Sequence, residues 1–107
     1  MTLDELRARG SVPNAPALAP ERSAQLLALL SGWAMADGEI CKDFEFENYY
    51  QTMAFVNAVA YVAHREDHHP DMEVGYNRCR VRYSTHSAGG VTENDFVCAA
   101  KVEALVG

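Results

Sequence analysis

Within residues 33–66 the hydrophobic period of the chain changes once, from two to about 3.6, and that single switch restricts its fold more than any other feature. Ile40, Phe44 and Phe46 alternate with Cys41, Asp43 and Glu45, the pattern of a strand with one apolar face. Asp37-Gly38 separates this stretch from Trp33–Ala36, and the dipeptide supplies the positive φ of a two-residue hairpin turn. From Glu47 to about Glu66, Tyr49, Met53, Val56, Ala60 and Ala63 instead fall on one side of a helix, with Glu47, Gln51, Ala54, Ala58 and Arg65 opposite. Pro70 holds the residue before it out of helical geometry, so this principal helix ends near Asp67 and leaves His68-His69 in the turn beyond.

The remaining segments extend the same mixture. Pro20-Glu21 suits a first helical turn, and Leu26, Leu27, Leu29 and Leu30 give an apolar side to a short helix that stops at Ser31-Gly32. Arg78, Arg80 and Arg82 alternate with Cys79, Val81 and Tyr83, a strand with its arginines on the wet side. After a Gly89-Gly90 turn, Thr92 with Asp95 reads as a helix N-cap with an acidic first turn. Cys98, Ala99, Val102, Leu105 and Val106 then form the expected buried stripe of a last helix. Helices mixed with hairpins in this order predict an α+β fold, an antiparallel sheet covered on one face by helices. Residues 1–20 hold Pro13, Pro16 and Pro20 without a sustained period, so they are expected to be a flexible N-terminal arm dispensable for chemistry. Residues 21–107 then form the one domain that 107 residues support.

The charge balance narrows the partners. Nine basic against 15 acidic residues give a net charge of −6, the opposite of what phosphate neutralisation requires, so no nucleic acid is expected as a direct partner. Five acids, Asp37, Glu39, Asp43, Glu45 and Glu47, surround Lys42 and read as a solvated sheet face. The longest apolar stretch, Ala54–Ala63, is too short to span a bilayer, and the first twenty residues hold no apolar leader core. The expectation is no membrane partner and a cytoplasmic location. Cys41, Cys79 and Cys98 are odd in number and lack CxxC spacing, which predicts reduced core residues rather than disulfides or a zinc knuckle.

All four histidines, His64, His68, His69 and His86, fall in one 23-residue window. Imidazole is the side chain that changes charge near neutral pH, so several in one region suit proton transfer in which one acts as acid and another as base. His64 and His68 also have the i, i+4 spacing of a helical metal pair, but no Glu completes an HExxH and Pro70 lies close. No metal site is expected.

The run His64, three residues, His68-His69-Pro70, five residues, Tyr76, nine residues, His86, eight residues, Asp95 resembles the signature of the pterin-4a-carbinolamine dehydratases. Gly32-Trp33, Phe44-Glu45-Phe46, Ser84-Thr85-His86 and Gly89-Gly90-Val91-Thr92 agree with it, and the resemblance covers about residues 20–105. It implies four antiparallel strands with three helices on one face. It also implies a hydro-lyase that dehydrates 4a-hydroxytetrahydropterin to quinonoid dihydropterin, without a cofactor of its own, and so recycles the cofactor of phenylalanine hydroxylase. By position it makes His68, His69 and His86 the active-site histidines, places Trp33 by the pterin, and gives Asp67 the support of the histidine pair. His68 and His86 are then expected to be the acid and base, with His69 positioning the pterin. His64, expected with Trp33 and Asp67 to be a substrate-binding residue, stands where many animal members have Glu, one turn before His68, and Asn94 where some have a basic residue. The resemblance and the two free edges of such a sheet point to a homodimer or homotetramer. Because some members act as coactivators or assembly factors, a non-catalytic binding role is the alternative.

Overall fold

The structure is a computed structural model that describes residues 1–106. In chain order the elements are α1 (Leu3–Ala8), α2 (Pro20–Leu27), β1 (Ala34–Ala36), β2 (Glu39–Glu45), α3 (Tyr49–Glu66), β3 (Asp71–Val74), β4 (Arg78–Tyr83), a 3-10 turn at His86–Ala88 and α4 (Glu93–Glu103). The four strands form one antiparallel sheet in the order β1-β2-β4-β3. Asp37 (φ 53°) and Gly38 (φ 76°) make the β1–β2 turn in the left-handed conformation that a tight hairpin needs. The central pairing sets Ile40 opposite Tyr83, Lys42 opposite Val81 and Phe44 opposite Cys79. The side chains of Ile40, Phe44, Cys79, Val81 and Tyr83 are buried on one face of the sheet. Arg78, Arg80 and Arg82 alternate out of that core, and Arg80 forms a two-pronged pair with Asp43 across the strands, at 2.6 and 3.1 Å. The α+β reading, with helices against a four-stranded antiparallel sheet, therefore holds.

The structure corrects three finer expectations. Residues 1–20 are not a loose arm along their length, because Leu3–Ala8 form α1 and Leu6 is fully buried in the core. The signal in the sequence was short: Thr2 and Glu5 form a capping box, each side chain bonded to the other's backbone N–H. On α3 the buried positions are Thr52, Phe55 and Val59, one residue round from the expected stripe, and Tyr49 and Ala60 are exposed. Thr52 is buried because its hydroxyl donates to Asn48 O at 2.9 Å and Tyr76 O at 3.0 Å, which a count of apolar residues does not register. The last helix stops at Glu103, so Leu105 and Val106 are exposed rather than part of its stripe.

Candidate active site

The site begins at the C-terminus of α3. Asp67 takes a left-handed conformation (φ 51°, ψ 42°), and the N–H groups of Asp67 and His68 both return to Ala63 O, satisfying the last carbonyls of the helix. The chain therefore leaves the helix axis before His68. His64 and His68 no longer share a helical face, and the paired-ligand geometry suggested by their spacing is not formed. Buried Pro70 then directs the chain into β3.

Beyond this turn His68 meets the end of β4 and the start of α4. Its ring stacks on Tyr83, with centroids 5.9 Å apart and planes 13° from parallel. His68 Nε2 lies 2.5 Å from Asp95 Oδ1. Asp95 is fully buried, and its other oxygen accepts from the Thr85 hydroxyl at 2.8 Å and from Thr92 N–H at 2.9 Å. A carboxylate accepts, so His68 carries its proton on Nε2 in this pair and keeps Nδ1 for a second partner. His69 has the reverse arrangement, because its Nδ1 donates to Pro70 O at 3.2 Å and leaves Nε2 free of that bond. The third histidine is carried by the loop after β4. Thr85 N–H donates to Gly90 O at 2.9 Å, and Gly89 takes the left-handed φ of 75° that lets the loop turn back, which places His86 on an exposed 3-10 turn.

His68, His69 and His86 line one cavity of about 200 Å³, together with Asp67, Asp71 and Arg82. A larger depression of about 680 Å³ between β2 and α3 holds Phe44, Phe46 and Phe55 and no histidine. The two other expected substrate contacts are elsewhere. Trp33 is buried between Phe44 and Tyr83, at ring separations of 6.0 and 6.3 Å, with Nε1 donating to Glu103 Oε1 at 2.7 Å. His64 is exposed on α3, outside the cavity lining. Asp67 does line it, but the carboxylate that holds His68 is Asp95. Asp95 was legible only as a helix cap and as the last position of the signature; the Thr92-to-Asp95 spacing, with Thr85 ahead of it, was the available sign that its carboxylate points back into the fold. Tyr83 is fully buried beside these groups, and burial pushes its phenol well above the usual range, so its hydroxyl stays protonated.

The family model for pterin 4 alpha carbinolamine dehydratase matches residues 16–105. The chain belongs to this family. A Bdellovibrio bacteriovorus protein named "Putative pterin-4-alpha-carbinolamine dehydratase" is 54% identical over 111 aligned positions, spanning 100% of this chain and 92% of that one. A protein of the same name from Nitrosomonas eutropha is 62% identical over 92 positions, spanning 85% of this chain and 81% of its own. Among solved structures, a transcriptional coactivator/pterin dehydratase from Brucella melitensis superposes with a TM-score of 0.82 at 34% identity, covering 85% of this chain and 99% of that one. A pterin dehydratase-like protein identified as a RuBisCO assembly factor in the alpha-carboxysome gives a TM-score of 0.58 at 28% identity, covering 70% and 87%. The fold is thus shared with a coactivator/dehydratase and with a dehydratase-like assembly factor.

Proposed function

We propose that this member of the family is a hydro-lyase that converts 4a-hydroxytetrahydropterin to quinonoid dihydropterin. The observation that supports it best is the convergence of His68, His69 and His86 on one cavity, with His68 held from behind by buried Asp95. The reaction is redox-neutral. One proton is delivered to the 4a-hydroxyl, the C4a–O bond breaks and water leaves. The proton on N5 is taken up, and its bonding pair forms the N5–C4a double bond. His68 and His86 are the acid and base, and His69 positions the ring. Fixing His68 through Nε2 commits Nδ1 to the substrate, and the Asp95 carboxylate stabilises the imidazolium formed when His68 takes up a proton.

The same reading makes the product a precursor of the tetrahydropterin used by aromatic amino acid hydroxylases such as phenylalanine hydroxylase, in the cytoplasm. No helix of the described residues is long and apolar enough to cross a membrane. A non-catalytic assembly or coactivator role is the second reading, supported by the likeness to a transcriptional coactivator/pterin dehydratase and to a RuBisCO assembly factor. The test adds purified protein to freshly generated 4a-hydroxytetrahydropterin at pH 7 and follows its ultraviolet absorbance. Acceleration well above spontaneous dehydration at substoichiometric protein supports the hydro-lyase, and the spontaneous rate alone favours the second reading.

A further inference from the structure

The N-terminal segment that precedes the family match is bonded to the two residues from which the His68–Asp95 pair is presented. Asn94, in the first turn of α4 and adjacent to Asp95, is buried, and its side-chain amide closes a two-way contact with one backbone unit. Val12 N–H donates to Asn94 Oδ1 at 2.9 Å, and Asn94 Nδ2 donates to Val12 O at 2.8 Å. One residue earlier, Ser11 N–H donates to Glu66 Oε1 at 2.8 Å, at the last position of α3 and two residues before His68. The segment is anchored upstream as well. Leu6 is buried, Arg7 Nε donates to Ala100 O at 2.8 Å, and Lys101 Nζ donates to Arg7 O at 2.7 Å. A single strap thus joins the end of the helix that delivers His68 to the start of the helix that delivers Asp95.

We propose that Asn94 is a positioning residue, acting with the residue 3–12 strap to fix the separation of α3 and α4 and so hold His68 Nε2 on Asp95. Neither Asn94 nor the strap lines the cavity, so the contact works through Asp95 and not through the substrate. The rate consequence rests on the hydro-lyase reading; the geometric consequence does not. Misplacing a catalytic group by as little as 1 Å lowers rates up to about a hundredfold, whereas substrate contacts made equally in ground and transition states are untouched.

The test uses the full chain with Asn94→Ala and, from the other side of the contact, Val12→Pro, which removes the N–H. Ile40→Val, a core truncation in β2, serves as a control for lost stability alone. Dehydration is measured well below each melting temperature, together with the proton resonance of the His68 imidazole N–H bound to Asp95. Both strap variants are expected to lose about tenfold in kcat with KM within about twofold, and to shift or broaden that resonance, while the control keeps both. Wild-type kcat and an unmoved resonance in both strap variants, with only a lower melting temperature, would overturn the proposal. If the wild type itself fails to accelerate dehydration, the hydro-lyase reading falls, and the resonance alone still decides the role of the strap.

Discussion

At the scale of single residues, burial in the core keeps two thiols protonated well into the alkaline range. Burial raises the Cys98 thiol from its ordinary value of 9.0 to about 12, and Cys79 is raised by burial as well. A folded-state value above the unfolded one favours the native state fully below pH 9 and loses that advantage as pH rises toward 12. Stability measured by urea unfolding is therefore expected to decline above pH 9, and Cys98→Ala to make that decline shallower; an identical slope in both proteins would contradict the assignment. That His68, His69 and His86 belong to one cavity was legible from their spacing, because the run that carries them is local in sequence. Asp95 as the partner of His68, and Trp33 as a core residue, were not. One partnership spans 27 residues, and the other depends on Glu103 arriving 70 residues later to accept from the indole.

At the scale of elements, period and turn chemistry predicted the β1–β2 hairpin, the long helix and its end. They missed α1, which at six residues is too short to show a period. Its presence carries an energetic consequence: Leu6→Ala is expected to destabilise the protein by about 2–5 kcal/mol, the range for emptying a buried leucine site. A change within 0.5 kcal/mol of zero would restore the loose-arm description. The expected face of α3 was off by one position because Thr52 is buried through hydrogen bonds, so apolar side chains alone misplace the stripe. The end of α3 gives a separate prediction. Asp67 holds a left-handed conformation that glycine adopts without strain, so Asp67→Gly should stabilise or leave stability unchanged, whereas Asp67→Ala should cost about 1 kcal/mol. Thermal melts of the two variants check the sign, and equal losses in both would show that the Asp67 side chain, not its backbone, holds the turn.

At the scale of the whole molecule, a four-stranded sheet with β1 and β3 as its edges leaves two rows of unpaired backbone groups, and Tyr50 and Tyr61 stand exposed on α3. Both features suit association between copies. Light scattering is expected to return a dimer or tetramer, and a mass near 11.8 kDa at micromolar concentration would contradict this. The order of the elements brings the turn after α3, the loop after β4 and the first turn of α4 to one end of the sheet, and the proposed chemistry depends on that convergence. The most direct measurement is therefore kcat at pH 7, with freshly generated 4a-hydroxytetrahydropterin, for the wild type, His68→Ala, His86→Ala and the double variant, each checked by circular dichroism. Each single variant is predicted to lose about 10- to 10⁴-fold, bounded below by spontaneous dehydration, and the double variant to lose less than the product of the two. Wild-type rates in both single variants would contradict histidine acid–base catalysis at this site.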